Sequence, residues 1–454
     1  MEEEKKRFST QPLRGMVDSY PSDLRLDNWI IDQIGDIIEL YCYEEYSGPL
    51  LEPIEIFAAK SSDELVQEQA YWIKDKKNKK LIVRPEITPT LARMIAKRSQ
   101  EFKKPIRWYS VPTCYRYEAP QRGRRREFIQ FNVDILGENS LYAELEIFNI
   151  IVDILTSFGA TSEQFQIYFN NRRFIDAICT FILKVSKEKI PLIYNLLDKS
   201  GKMEESEFLE AINENFQEEY IIQGILKLKD TKNLEELLKS FENIPEQFFN
   251  SQGYKELSNI EKSIQVLDIS KYCSFSSSVV RGLDYYTGTV FEVFDTGKEN
   301  RRAIFGGGRY DNLLSLFSNE ELSGIGFGMG LLMLKLFLET YDLIPEDIMK
   351  SDFSDVIFIA SVNKKVSHYA HEIAQNLRNE DFPCIIDYRF ENLGNQLRKA
   401  SEIGVRISLI LGPKEMEQNK ITIKNMVSEQ QKTIDAEDLI NEIFSIFDKL
   451  EEVE

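Results

Sequence analysis

The residues of this chain best suited to chemistry stand in two strings, Arg281-Gly-Leu-Asp-Tyr-Tyr286 and Phe305-Gly-Gly-Gly-Arg-Tyr-Asp311. Together they offer arginine, aspartate and the tyrosines Tyr285, Tyr286 and Tyr310 on a segment that reads as a strand entry and a glycine turn. Such a set suits a polar, planar, nitrogen-bearing ligand. A site that hydrogen-bonds its ligand's own donors and acceptors rejects analogues lacking them by roughly 10⁴-fold or more, whereas an aliphatic pocket separates such ligands poorly.

A second constellation precedes it. The stretch from Trp108 to Gly137 reads as strand, basic loop, strand, with Arg116 leaving the first strand and Arg122, Arg124, Arg125 and Arg126 crowding the loop. Guanidinium forks fit phosphate oxygens two bonds at a time, so the loop is an anion cradle and ATP the obvious candidate. The plainer alternative is a hairpin with a solvated basic tip. Gln130 and Asp134 lie four residues apart on the return strand and so share one face, where a substrate ammonium or ring N–H could be held.

Composition limits the remaining chemistry. A chain of 454 residues should hold two or three domains, and 43% hydrophobic with 29% charged residues is ordinary for a soluble globular protein. No apolar stretch follows Met1-Glu-Glu-Glu-Lys-Lys-Arg7, and no window approaches the roughly 18 consecutive apolar residues of a membrane span. The expected location is therefore the cytoplasm, with no membrane partner. Cys42, Cys114, Cys179, Cys273 and Cys384 lie far apart without a C-x-x-C pair, which fits small core residues in a reducing compartment and no structural metal site. The 2 histidines, His368 and His371, fall opposite the stripe Val366, Ala370, Ile373 and Leu377 on an expected helix, which makes them solvated surface rather than catalytic bases. A net charge of −19 is awkward for a nucleic-acid binder, so any such site must be local.

The elements that must position these residues follow from periodicity. Residues 24–43 and 141–158 read as helices, the second stopping at Gly159. Leu81–Val83, Ile106–Tyr109, Phe128–Leu136 and Thr289–Phe294 alternate as strands of an antiparallel sheet. Residues 172–268 carry Leu, Ile and Phe at helical spacing among Lys and Glu, as a helical insertion within the sheet domain. Beyond the expected linker, strands at Val356–Ala360, Cys384–Ile386 and Ile407–Leu411 alternate with helices, implying a separate α/β module with a parallel or mixed sheet. The boundaries read as a core over 1–345, a linker over 346–354 and the module over 355–454.

The Trp108–Gly137 string resembles the second signature motif of class II aminoacyl-tRNA synthetases in its histidyl form, and the two opening strings resemble the histidine-specific signature of that family. Arg84-Pro-Glu86-Ile-Thr88, Arg14-Gly-Met-Val-Asp18, Gly394-Asn-Gln-Leu-Arg-Lys-Ala400 and Ile423-Lys-Asn extend the resemblance over most of the chain outside the insertion. It implies an α+β fold: a class II antiparallel-sheet catalytic domain with a C-terminal α/β anticodon-binding domain. By this resemblance Arg116 and Arg281 would be the catalytic residues on the α-phosphate, and Glu118 and Arg124 would contact ATP with Arg116. Glu86 and Thr88 would grip the amino group of L-histidine, while Gln130, Asp134, Tyr285, Tyr286 and Tyr310 would surround its imidazole. Neither adenylate formation nor transfer to tRNA(His) needs a protein nucleophile. Mg²⁺ would be carried by ATP with no metal ligands of the chain's own, and the enzyme would be a homodimer.

The chain departs from the family's pattern at three places. Asp134 is shorter than the glutamate common there. Ala119 stands where bacterial members usually place an arginine. In Gly324-Ile-Gly-Phe-Gly-Met-Gly330-Leu-Leu-Met333, Met333 occupies the position of an arginine expected at adenine and γ-phosphate. Methionine can pack on a ring but cannot neutralise phosphate, so either Arg309 or an arginine of the 122–126 loop takes that role, or ATP binds more weakly. Met333 leaves open a second reading, a non-aminoacylating regulatory relative in histidine biosynthesis that keeps the fold and a histidine pocket.

Overall fold

The computed structural model describes residues 8–58, 64–200, 203–229, 231–280, 285–297, 300, 302–317, 321–389 and 392–451. The chain divides into two compact units, Met1–Met349 and Lys350–Glu454. Arg281 and Asp284 of the opening string lie outside the described residues.

The first unit is organised by a sheet in the order Glu44–Glu45, Ile106–Ser110, Glu127–Leu136, Gly324–Gly330, Ala303–Tyr310, Thr289–Asp295, Phe165–Asn171 and Cys273–Phe275, with Thr113–Tyr115 also paired to Glu127–Leu136. The central pairs are antiparallel, and the outermost pair at each end is parallel. Alternation along these strands divides the sheet into two chemically different faces. Phe131, Val133, Ile135, Ile325, Phe327 and Met329 point to one of them and are almost wholly buried in the main core.

Helices Pro21–Leu40 and Tyr142–Ser157 contribute to that same core. Leu26, Ile30, Ile34 and Ile38 recur every four residues on the first, and Leu145, Phe148, Val152 and Leu155 lie on the second. Each such side chain taken from water contributes about 1.5–3 kcal/mol, which binds these helices to the sheet more strongly than helix propensity could. The second helix stops where expected, at Gly159 with φ +90°, a backbone state that any β-carbon would strain.

Between Phe165–Asn171 and Cys273–Phe275 the chain makes a run of helices from Arg172 to Val266, with no strand among the described residues. Leu51–Pro53, Lys80–Val83 and Tyr71–Lys74 form a small separate sheet whose middle strand leads into the helix Thr88–Arg98.

Two expectations need correction. Gly306-Gly-Gly308 is not a turn: it lies inside the strand Ala303–Tyr310, paired on both sides. A β-carbon at Gly307 would fall 2.1 Å from the carbonyl oxygen of Gly326 and 2.6 Å from the Phe291 ring, so close approach of backbone, rather than chain reversal, demands the glycine. The cysteines are not all core residues either, since Cys42 is exposed and Cys384 only half-buried.

The second unit holds a mixed sheet in the order Cys384–Ile386, Ile357–Ser361, Ile407–Leu411, Lys420–Asn425 and Gln431–Asp435. The first three strands are parallel, and the last two add an antiparallel hairpin not recognised in the sequence. Val366, Ala370, Ile373 and Leu377 are buried as expected, which leaves His368 and His371 exposed. On the helix Leu393–Ile403, Gln396 is wholly buried and exchanges two hydrogen bonds with the Ser361 backbone, at 3.0 and 2.9 Å.

Candidate active site

Strand parity builds the site. Gln130, Asn132 and Asp134 stand across from Gly330, Gly328 and Gly326, and Gly328, Gly326 and Gly324 stand across from Gly306, Gly308 and Tyr310. All share the face opposite the apolar core residues. A patch of sheet is thereby left without side chains, framed by Gln130, Asn132, Asp134 and Tyr310. A β-carbon at Gly328 would fall 2.2 Å from Gln130 Nε2, and one at Gly326 would fall 2.4 Å from Asp134 Oδ1, so the glycines make the room that these polar groups occupy.

The resulting pocket, about 410 Å³ counting its open mouth, is lined by Glu86, Thr88, Arg116, Gln130, Asp134, Tyr285, Tyr286 and Tyr310 together with Asn132 and the floor residues. Glu86 and Thr88 come from the junction of the strand Lys80–Val83 with the helix Thr88–Arg98. Tyr285 Oη donates to Glu86 Oε2 at 3.0 Å and Tyr310 Oη to Asp134 Oδ1 at 2.5 Å. The ring of Tyr285 meets those of Tyr286 and Tyr310 edge to face, with centroids 5.0 and 5.8 Å apart. Interlocked rings of this kind hold the wall in one conformation.

Asp134 is 3% exposed, and its Oδ2 has no hydrogen-bond partner among the described residues. Burial pushes its carboxyl up to about 7; the Tyr310 hydroxyl opposes that rise and the charge of Glu86 adds to it. A buried acceptor beside an open pocket is suited to a ligand N–H. Burial likewise drives the Tyr285 and Tyr310 phenols well above their usual range, which keeps them hydrogen-bond donors.

Arg116 brings a cation to the pocket rim. Its N–H donates to Arg126 O at 2.9 Å, its Nε donates to Pro85 O at 3.0 Å, and its guanidinium lies over the Phe128 ring at 5.2 Å. Glu118 and Arg124 are not on the pocket lining. They pair with one another at 3.2 Å on the loop that Arg116 enters. Gly123, at the loop turn with φ +77°, packs against Met333: a β-carbon there would meet the Met333 sulfur at 2.2 Å.

Arg309 cannot serve as the substitute cation considered for the Met333 position. One residue from Tyr310, it points to the opposite face and is 4% exposed. Its Nε lies 2.5 Å from Glu144 Oε1 and its Nη2 2.5 Å from Glu144 Oε2, and further bonds run to the carbonyls of Glu138 and Ser140. Asp311 also stands away from the pocket, held by Thr287, Ser323 and Arg173. Asn132, by contrast, was overlooked in the sequence. Its position midway between Gln130 and Asp134 on an alternating strand was the signal that could have placed it there.

Comparison with known proteins identifies the family. A family model described as Histidyl-tRNA synthetase matches residues 15–334, and one described as Anticodon binding domain matches residues 356–445. A histidine–tRNA ligase of Leptospira biflexa is 36% identical over 442 residues, covering 96% of this chain and 98% of its own. One from Haloarcula marismortui is 32% identical over 430 residues, covering 93% and 95% respectively. The crystal structure of histidyl-tRNA synthetase from Nostoc sp. PCC 7120 shares the fold with a TM-score of 0.74 at 22% identity, over 97% of this chain and 100% of that one. These matches, which run along both units, establish that the chain belongs to the histidyl-tRNA synthetase family.

Proposed function

We propose that the glycine-floored pocket is where the chain joins histidine to ATP before passing it to tRNA. The chain acts as a histidine–tRNA ligase, an aminoacyl-tRNA ligase that uses ATP. In the first step a carboxylate oxygen of histidine attacks the α-phosphorus of ATP and pyrophosphate leaves. In the second, a ribose hydroxyl at the 3′ end of tRNA(His) attacks the acyl carbon of histidyl-adenylate and AMP leaves. Both steps depend on alignment and on neutralising charge rather than on a protein nucleophile.

The residue roles carry the family resemblance onto this pocket. Glu86 and Thr88 take the α-ammonium. Gln130, Asp134, Tyr285, Tyr286 and Tyr310 take the imidazole, and the orphan Asp134 Oδ2 is the observation that carries this assignment. Arg116 at the rim takes the α-phosphate, joined by Arg281 on the strength of the family resemblance. Glu118 and Arg124 lie farther along the loop, where the nucleotide would extend, and the loop arginines supply the countercharge that neither Met333 nor Arg309 provides.

Mg²⁺ would arrive on the phosphates and neutralise them. Among the described residues no group of three or more His, Cys, Asp or Glu could hold a metal ion. The class II resemblance supports a homodimer, which light scattering would test. The cytoplasm is the compartment assigned to this reading. No helix among the described residues is long and apolar enough to cross a membrane.

Histidine-dependent exchange of pyrophosphate into ATP, run against the other amino acids and without tRNA, tests the assignment. Exchange with histidine alone is expected. Histidine binding without exchange would instead favour the regulatory relative.

Two further outcomes arise from the pocket. Gly326→Ala places a methyl group against Asp134 Oδ1 and 2.3 Å from the Val133 carbonyl oxygen. Overpacking of this sort costs about 1–3 kcal/mol in urea unfolding, and displacement of Asp134 should raise the KM for histidine with it.

The second outcome concerns pH. The folded carboxyl of Asp134 titrates at about 7 against an ordinary value of 3.8, so the folded state binds the extra proton between them. Its contribution to stability therefore falls as pH rises across that interval. Ligand recognition runs the other way, because the ionised form is the better acceptor for a ring N–H. Histidine KM should fall as pH rises through about 7, and Asp134→Asn should remove that component. Free histidine itself titrates near 6.5, so the difference between the two profiles is the readout.

A further inference from the structure

Tyr46 is not among the family positions considered above, yet it lies behind the imidazole wall. It is 7% exposed, and its hydroxyl has no hydrogen-bond partner among the described residues. Its backbone N–H donates to Tyr109 O at 2.8 Å, and its ring packs on Trp108 with centroids 5.6 Å apart. Trp108 is the cross-strand neighbour of Asp134 in the sheet. Tyr46 also shares one buried cluster with Tyr285 and Tyr310. Burial holds its phenol well above the usual range, and the charge of Asp134 adds to that rise.

A buried donor and a buried acceptor, each without a partner among the described residues, are thus linked through Trp108, on which the Tyr46 ring packs and which stands across the sheet from Asp134. Orphan groups of this kind are normally satisfied by an ordered water or by a ligand. Asp134 Oδ1 is already taken by Tyr310, so the second carboxylate oxygen is the one left for recognition.

We propose that Tyr46 is a positioning residue for imidazole recognition, its hydroxyl holding a single water against Asp134 Oδ2 so that the short carboxylate and the water together span the distance a longer acidic side chain would reach. The inference rests on the reading of this pocket as the histidine site. Tyr46 orients the free oxygen of Asp134 toward the ring N–H and sets the depth to which the ring enters. The aspartate at 134 and the tyrosine at 46 then work as a pair, and each is tolerable because of the other.

The test is histidine-dependent pyrophosphate exchange by the full chain and by Tyr46→Phe, which keeps the ring and removes only the hydroxyl. Loss of one hydrogen bond of ordinary strength corresponds to a rise of about tenfold in histidine KM. The KM for ATP should not move, and the loss should lie in KM rather than kcat. Asp134→Glu alone should raise histidine KM by overfilling the region. Asp134→Glu combined with Tyr46→Phe should return it to within about twofold of the parent, because the longer carboxylate occupies the space the hydroxyl and water vacate.

A histidine KM within about twofold of the parent for Tyr46→Phe overturns the proposal. So does an Asp134→Glu effect that is the same in both backgrounds. If Tyr46→Phe also lowers the melting transition, the rescue decides, since a longer carboxylate cannot restore a lost packing contact. Absence of histidine binding together with absence of exchange in the unsubstituted chain would overturn the reading of the pocket itself, whatever Tyr46→Phe does, and binding without exchange moves the same comparison of variants to the histidine Kd.

Discussion

Arg309→Ala is expected to destabilise the catalytic unit by about 3–5 kcal/mol, the cost of leaving one partner of a buried ion pair unpaired. The guanidinium and Glu144 are 5% and 4% exposed, and they meet through two parallel bonds. Removing the arginine leaves a carboxylate in the core with, among the described residues, only the Thr289 hydroxyl, at 3.1 Å, still donating to it, and strips two donors from the carbonyls of Glu138 and Ser140. Arg309→Lys should recover little, because an ammonium cannot span both carboxylate oxygens in the same plane. Replacing both members, as Arg309→Met with Glu144→Leu, should recover most of the loss. Urea unfolding of the four proteins measures this. A single-variant cost below about 1 kcal/mol would mean that the pair adds nothing beyond its apolar replacement.

Arg116→Ala should act on the rate. A fixed cation at a developing charge is worth about 10²–10³ in turnover when removed, and this fall should appear in adenylate formation measured in a single turnover, before any tRNA is present. Arg116 is only partly buried, so urea unfolding should change far less than for Arg309→Ala. Arg116→Lys should be intermediate, since it keeps the charge but loses the planar fork that stacks on Phe128 and holds the Pro85 carbonyl. Adenylate formation within tenfold of the parent in Arg116→Ala would remove this residue from the chemical step.

What could be read in advance followed from parity and periodicity. Gln130 and Asp134 were placed together because side chains four apart on a strand share a face, and the same rule, carried one step further, puts Asn132 between them and sends Arg309 to the side opposite Tyr310. The glycines misled for a physical reason. Three in succession ordinarily break a strand, and nothing local to residues 306–308 reveals that Gly326 and Phe291 will press against the middle one. The hairpin of Lys420–Asn425 and Gln431–Asp435 escaped because its second strand is largely exposed and so lacks an apolar stripe. Tyr46 escaped because its relation to Asp134 runs across strands far apart in sequence.

The glycine floor has a consequence for how this protein can change. Every codon step away from glycine adds atoms to that surface, so each substitution there can only make the recess shallower. Accidental broadening toward bulkier amino acids is closed along that route. A drifting lineage would have to alter the tyrosine and carboxylate walls instead, where each change also breaks a bond that holds the wall in place. On the proposed assignment of this pocket, accuracy in decoding is guarded at these positions by atoms that are not there.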